Sequence, residues 1–392
     1  MTRNIYLDHN ATTPLADEAR EAMAPFEKEW FGNPSSLHKA GVHAAREIRR
    51  ARHEVASLLG ARQDSEIVFT SGGTESNNAA FRSALFTSRG RRRIVTSAVE
   101  HSSILKLARA LEEEGIEASY LAVDRDGHLE REKLLDTFTS DTALVSLMAA
   151  NNETGVIFPV DELGAEVRSR GILFHVDAVQ AVGKVPFNLK ESPIDFLSLS
   201  AHKFGGPKGI GALYVRDGVP FRPLIFGGAQ EKGRRAGTEN VPGIIGLGAA
   251  CRYLQKQMTE EADRVRRVRD AFENEILRKI PRTFVNGDPA QRVPNTTNLT
   301  FDGVDAEALL ILLDEEGIYA SSGSACLSGS REPSHVLRAM GLPKERARNS
   351  VRFSFGRGNT LDQAEETVGV LIQQVARLRE IELEKQHPHP VP

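Results

Sequence analysis

Cysteine is nearly absent from this chain: 392 residues carry only Cys251 and Cys326. Two thiols make neither a disulfide framework nor a four-cysteine metal site. Long apolar runs are missing too. A run such as Ala308–Leu313 falls far short of the roughly 20 residues a membrane helix needs. Met1–Asn10 has no apolar h-region, so no secretory signal is read there and the expected location is the cytoplasm. Charge of one sign is also lacking. Fifty basic residues face 53 acidic ones, a formal net charge of −3, which does not favour nucleic acid as a direct partner. The densest basic run, Arg89–Arg93, is short and reads as a solvated loop before a strand; its other reading is a tRNA contact. Internal repeats are absent.

What remains is an ordinary globular composition, 40% hydrophobic and 26% charged, in a chain long enough for two domains. From about Arg62 to Val215 short apolar strands alternate with amphipathic helices. Strands are expected at Ile67–Thr70, Ile94–Ser97, Ala143–Ala149, Gly171–Asp177, Asp195–Ser200 and Gly209–Val215. Helices are expected at Glu75–Phe86, Ser102–Glu114 and Asp161–Arg170. Such spacing implies crossover connections and a mainly parallel sheet, an α/β fold. After Leu247 the texture changes to a charged helix at Asp263–Lys279, a strand near Thr296–Phe301 and a helix at Asp305–Glu315. A Gly/Ser-rich stretch at Ser321–Ser330, a strand at Val351–Phe355 and an amphipathic helix at Asp362–Leu383 follow. The division expected is a large domain over 16–255 and a smaller α+β domain from 1–15 and 256–386. The smaller one carries a loop at 321–335, and the tail His387–Pro392 (HPHPVP) is expected to be disordered; two histidines split by proline make a weak metal site.

Four features carry chemistry, and each has a plain reading beside the functional one. Ser200-Ala201-His202-Lys203 ends an apolar strand, where α/β proteins bind ligands. A desolvated lysine there becomes a Schiff-base nucleophile; otherwise it is a surface lysine. Asp177, with Gln180 just after, ends another strand. It suits the carboxylate that pyridoxal 5′-phosphate (PLP) needs against its ring nitrogen, or a turn cap. Thr70–Ser76 (TSGGTES) is a strand–turn–helix junction, an anion site for a phosphate or plain turn chemistry. It lacks the Gly-Lys-Ser/Thr ending of a nucleotide P-loop. Cys326 sits among Ser322–Ser330 (SGSACLSGS), small residues suited to a mobile nucleophile or to an inert surface thiol. Cys251, in the apolar run Ile244–Ala250, reads as a buried core thiol. Cradle, carboxylate and lysine follow one another at successive strand ends. Their conjunction points to a PLP enzyme of the aspartate-aminotransferase-like fold (PLP fold type I).

Along essentially its whole length the chain resembles the NifS/IscS-type cysteine desulfurases of the class V aminotransferase family. The motifs are Tyr6–Thr13 (YLDHNATT), Phe31–His38 (FGNPSSLH), Ile67–Ser76 (IVFTSGGTES), Glu100-His101, Asn151–Gly155 (NNETG), His175–Lys184 (HVDAVQAVGK), Ala201–Lys203 (AHK), Arg234–Asn240 (RRAGTEN), Ser321–Ser330 (SSGSACLSGS), Glu332–Val336 (EPSHV) and Val351–Arg357 (VRFSFGR). The cysteine loop is similar to the NifS/IscS group rather than the SufS-like one. The resemblance implies that Lys203 binds PLP covalently and shuttles the substrate Cα proton. Asp177 would pair with the ring nitrogen, Gln180 with the ring hydroxyl, and His101 would lie over the ring and assist proton transfers. Gly73, Thr74, Ser200 and His202 would hold the phosphate, joined by Thr238 of a neighbouring subunit in a homodimer. Asn152, also beside the cofactor, and Arg352 would grip the substrate carboxylate, with Arg357 an alternative anchor. Cys326 would take sulfur from L-cysteine as a persulfide, releasing alanine, and pass it to an iron–sulfur scaffold or a tRNA-thiolation protein. No resident metal is implied, Cys326 being at most a transient iron–sulfur ligand. Two positions depart from the family pattern: Leu327 stands where threonine is usual and His9 where asparagine is common. The rival readings are a selenocysteine lyase or other class V PLP enzyme, and a non-catalytic iron–sulfur assembly scaffold.

Overall fold

The computed structural model describes residues 4–322 and 333–386. Cys326, most of the 321–335 loop and the tail 387–392 lie outside the described residues. The chain begins with β1 (Ile5–Tyr6), α1 (Asp17–Lys28) and α2 (Lys39–Leu59). The alternating region follows as β2 (Ile67–Thr70), α3 (Gly73–Thr87), β3 (Arg93–Ser97), α4 (Ser102–Glu113), β4 (Glu117–Leu121), α5 (Arg131–Asp136), β5 (Thr142–Met148), α6 (Val160–Ser169), β6 (Leu173–Asp177), β7 (Phe196–Ser200) and β8 (Gly211–Val215). Then come α7 (Val241–Lys279), β9 (Thr283–Val285), β10 (Thr296–Phe301), α8 (Ala306–Glu315) and β11 (Ile318–Tyr319). The last elements are α9 (His335–Ala339), α10 (Lys344–Arg348), β12 (Ser350–Ser354) and α11 (Leu361–Gln386).

The central sheet has seven strands in the order β2-β8-β7-β6-β5-β3-β4. It is the mainly parallel sheet the alternation implies: β8, antiparallel to both β2 and β7, runs against the rest. All seven residues of β5 are buried, as expected of a strand covered by helices on both faces. Successive residues serve opposite faces. Ile67 and Phe69 join the core beneath α2, α6 and α7, while Val68 joins the one beneath α3 and α4. A third cluster lies around the three-stranded sheet β12-β10-β9. There Ile5, Leu7, Phe272, Phe301, Phe353 and Leu371 are at most 2% exposed.

One element differs from its expectation. The helix read at Asp263–Lys279 begins at Val241 and runs for 39 residues. Its first half is buried without a break from Gly243 to Cys251, so it shows no apolar stripe, and the stripe is the signal that marks a helix in sequence. Its buried residues join two cores, Ile244, Leu247 and Cys251 in one and Val265, Phe272 and Ile276 in the other. Cys251 is fully buried and unpaired, and burial pushes its thiol pKa up.

Candidate active site

The carboxyl ends of β2, β6 and β7 open on one cavity of about 600 Å³. Ten of the residues singled out in the sequence line it: Gly73, Thr74, His101, Asn152, Asp177, Gln180, Ser200, His202, Lys203 and Arg352. Thr238 is exposed and not among its lining residues. Arg357 lies elsewhere, its guanidinium bonded twice to Glu18 at 3.1 Å.

At one end β2 turns through Gly72 into α3. Gly72 has φ 150°, a conformation side-chain-bearing residues avoid. No side chain among the described residues caps α3, so its first-turn amides face the cavity end with the helix dipole behind them. The turn lies directly against the sheet, because a Cβ on Gly211 of β8 would come within 2.7 Å of Gly72 Cα. Ser200 Oγ lies beside Gly72, and His202 Nδ1 meets the Thr12 hydroxyl at 3.1 Å. Burial, then Lys203 and Lys208, push the His202 pKa down to about 4.

Asp177 closes β6 and is 5% exposed. Its hydrogen-bond donors are neutral: Asn77 Nδ2 at 2.8 Å and the Val179 backbone N–H at 3.0 Å. The Asn77 amide also donates to Ser103 Oγ at 3.0 Å, and Ser103 Oγ in turn meets His101 Nδ1 at 2.9 Å. His101 caps α4 by accepting the Ser103 backbone N–H at Nδ1, 3.1 Å away. A backbone amide can only donate, so the neutral ring carries its proton on Nε2. Burial lowers the His101 pKa; Lys203 and His335 push the same way, against Asp177.

Lys203 follows β7, and its ammonium donates to the backbone oxygens of Asn10 (2.6 Å) and Ala11 (2.9 Å). Gln180 Nε2 donates to the same Asn10 oxygen at 2.8 Å. Across the cavity, Arg352 of β12 donates to Asp8 Oδ1 at 2.5 Å and to the Asn152 backbone oxygen at 3.0 Å. Arg352 Nε and Asn152 Oδ1 are buried without a partner among the described residues. A carboxylate bound there would meet a guanidinium edge and an amide.

The chain on either side of 323–332 is held beside this cavity. Ser321 and Arg352 exchange backbone hydrogen bonds at 3.2 and 2.6 Å. Ser334 donates to the buried Glu153 carboxylate at 2.5 Å, and His335 Nε2 meets the Glu100 carbonyl at 3.0 Å.

Sequence reasoning gave no role to Asp8, Asn10, Asn77, Ser103 or Glu153. Asn77 was within reach of it, since it stands four residues after Gly73 on a helix and shares that face. Asp8 and Asn10 gave no such signal: their contacts lie 344 positions away at Arg352 and 193 at Lys203.

The residues present fit PLP: an uncapped helix N-terminus at one end, a buried carboxylate with neutral donors, and a lysine beside it. Comparison with known proteins identifies relatives of the chain. Residues 5–366 match the aminotransferase class-V family. A cysteine desulfurase of Trichormus azollae is 52% identical over 375 residues, covering 96% of this chain and 94% of its own. The cysteine desulfurase NifS of Azotobacter vinelandii is 49% identical over 378 residues, with 96% and 94% coverage. Among solved structures, a NifS-like protein superposes with a TM-score of 0.88 at 37% identity, covering 97% of this chain and 99% of that one.

Proposed function

The chain belongs to the class-V aminotransferase family, and from that premise we propose that it is a PLP-dependent cysteine desulfurase. L-cysteine and the thiol of Cys326 become alanine and a Cys326 persulfide. The observation that carries this reading is the meeting of Lys203, Asp177, His101 and the α3 N-terminus around one cavity. PLP, when bound, supplies the electron sink for a substrate carbanion.

The chain's own residues do the rest. Lys203 would hold the cofactor covalently, and its amine, when free, would carry the substrate Cα proton. The Asn10 and Ala11 carbonyls it meets here are acceptors for that free amine. Asp177 holds a proton on the ring nitrogen, and Gln180 presents its amide N–H groups to the ring hydroxyl. The α3 amides of Gly73 and Thr74, with Ser200 and His202, bind the phosphate. Thr238 completes that site from a second copy in a homodimer. Arg352 and Asn152 orient the substrate carboxylate. His101 presents its Nε2–H over the cofactor as a hydrogen-bond donor that assists the proton transfers, because its Nδ1 is occupied by the helix cap.

The Cys326 thiolate attacks the substrate sulfur. An S–S bond forms as the Cβ–Sγ bond breaks, and the electron pair stays with the carbon fragment, which is protonated to alanine. Support for Cys326 acting here comes from its flanks, since Ser321 is bonded to Arg352 at the cavity wall and His335 to Glu100, the neighbour of His101. The persulfide then passes to an acceptor protein such as an iron–sulfur scaffold or a tRNA-thiolation protein, in the cytoplasm.

A single-turnover reaction with L-cysteine tests the reading. Alanine together with a one-sulfur mass gain on the Cys326 peptide is expected. A visible PLP spectrum without either product would return the reaction to the selenocysteine lyase or transaminase chemistries of the fold. Cys326→Ala should keep the cofactor and bind cysteine yet form no persulfide; undiminished sulfide release from it would remove Cys326 from the reaction.

A further inference from the structure

A second cavity, about 440 Å³, lies between the N-terminal segment, α7 and the turn after β12. Lys203 contributes to the walls of both cavities, and beside it the second is lined by Lys184. Lys184 Nζ donates to Gln180 Oε1 at 2.8 Å and to Asn10 Oδ1 at 3.1 Å. Among the described residues no carboxylate pairs with it. Withdrawing an amine from water among neutral partners is costly, and such groups gather where a site needs them.

Both side-chain oxygens, Gln180 Oε1 and Asn10 Oδ1, face the Lys184 donors, which orients two amides. Gln180 is left with its –NH₂ towards Lys203, donating to the Asn10 carbonyl that Lys203 also uses. Asn10 is left with its –NH₂ on Thr296 Oγ1 (2.9 Å) and the Asn152 carbonyl (3.1 Å). Lys184 thus holds the Gln180 amide together with the Asn10 carbonyl, and shares the Asn10 side-chain oxygen with Asn295 Nδ2 at 3.0 Å.

We propose that Lys184 is a positioning residue for the reaction assigned above, turning the Gln180 amide so that its N–H groups face the cofactor's ring oxygen beside Lys203. The proposal rests on that reading of the cavity. Donation to the ring oxygen makes the neighbouring cofactor nitrogen give up its proton more readily, since the oxygen then holds negative charge with less need of that proton. Any positive charge on Lys184 acts in the same direction. Burial, then Lys203 and Arg352, hold the Lys184 pKa well below the lysine range. The other titratable groups near it are Tyr6 and His9 from the N-terminal segment, and Asp17, Tyr253, Glu261 and Arg357 across the second cavity. A change at position 184 leaves all of them in place.

The test is a pH titration of the visible absorbance of purified holoenzyme. In Lys184→Met the midpoint is expected to rise by about one pH unit, a tenfold gain in proton affinity. Lys184→Arg, which can donate to both oxygens and has the second cavity to extend into, is expected to restore it. A Lys184→Met protein that binds cofactor with an unmoved midpoint overturns the proposal, even if its melting temperature falls. Equal shifts in the Met and Arg variants overturn it too, because they would reflect shape rather than donation. If Lys184→Met does not fold, Lys184→Thr, too short to reach Gln180 Oε1, is titrated against the same criteria. Wild-type protein without visible cofactor absorbance would sink the proposed function instead, so the two failures are distinguishable.

Discussion

Asn77 joins two groups that the reaction uses separately. One Nδ2 reaches both Asp177 Oδ2 and Ser103 Oγ, and Ser103 holds the Nδ1 side of His101. Asn77→Ala leaves a buried carboxylate oxygen and a hydroxyl without that donor, at a cost of about 1–3 kcal/mol. The expected result is cofactor affinity weakened tenfold or more, read as loss of absorbance on dialysis, with the fold retained. Unchanged affinity would show that Asp177 needs no help from α3. His101 gives a prediction of a different kind. Its pKa is lowered, first by burial, so the ring stays neutral below the ordinary histidine value of about 6.5. Acidification through its folded value adds the proton that displaces the α4 cap from Nδ1. Desulfurase rate should therefore be flat through neutrality and fall on an acid limb below pH 6.5. In His101→Gln that limb should vanish while the plateau drops; a limb unmoved by the substitution would assign it to another group.

At the scale of elements, the phosphate-binding end is set by how closely α3 approaches the sheet. Gly211 is a plain strand residue by sequence, yet a Cβ there would lie 2.5 Å from Leu199 O and 2.7 Å from Gly72 Cα, both backbone atoms that cannot rotate aside. Gly211→Ala should push the Gly72–Gly73 turn outward and misalign the α3 amides. A loss of cofactor affinity of at least about tenfold is expected, measured by titrating apoprotein with PLP, although residue 211 makes no contact proposed with the cofactor. Affinity as in wild type would mean that the turn is not seated by β8. Strand identity was legible here because the buried strands are short apolar blocks between turn residues: the Ile67–Thr70 reading coincides with β2, and β6 and β7 end where expected, at Asp177 and Ser200. The helices α4, α6 and α11, each with an exposed face, were legible as well. The first half of α7 was not, because burial from Gly243 to Cys251 erases the contrast that periodicity needs. The alternation over 62–215 is also silent about α1 and α2, which precede it and pack on α7.

Over the whole molecule, the sequence reading found ten of the cavity's lining residues and missed others on its wall, Asn10, Asn77 and Ser103, as well as groups that stand behind it. Lys203, Asp177 and the α3 turn lie at strand ends, where position alone suggests a ligand. Asp8 and Asn10 act from the other end of the chain, and Glu100 and Glu153 support the site from full burial, so neither period nor spacing reveals them. Glu100 makes the last prediction. It is 0% exposed, its Oε1 accepts from Ser97 Oγ at 2.7 Å and Met148 N at 2.9 Å, and its Oε2 has no partner among the described residues. Burial raises its pKa to about 8. Between about pH 4.5 and 8 the folded protein keeps this proton while the unfolded chain has lost it, so rising pH favours unfolding by up to about 1.4 kcal/mol per unit. His175 and His9 act in the opposite sense, burial pushing them down to about 3 and about 4. Below pH 6.5 the unfolded chain protonates these imidazoles and the folded protein does not, so falling pH favours unfolding until each folded value is passed. Two histidines outweigh one carboxyl between pH 4.5 and 6.5. Stability should therefore climb up to about pH 6.5; above it the Glu100 penalty is opposed by Lys184, whose buried amine is held well below the lysine range while the unfolded chain keeps that proton, so the profile flattens towards pH 8. Glu100→Gln keeps an acceptor for Ser97 and Met148 without titrating. Its urea midpoint, compared with wild type from pH 5 to pH 9, should gain steadily on the parent up to about pH 8 and then run level. Parallel profiles across that range would mean that Glu100 does not change protonation there.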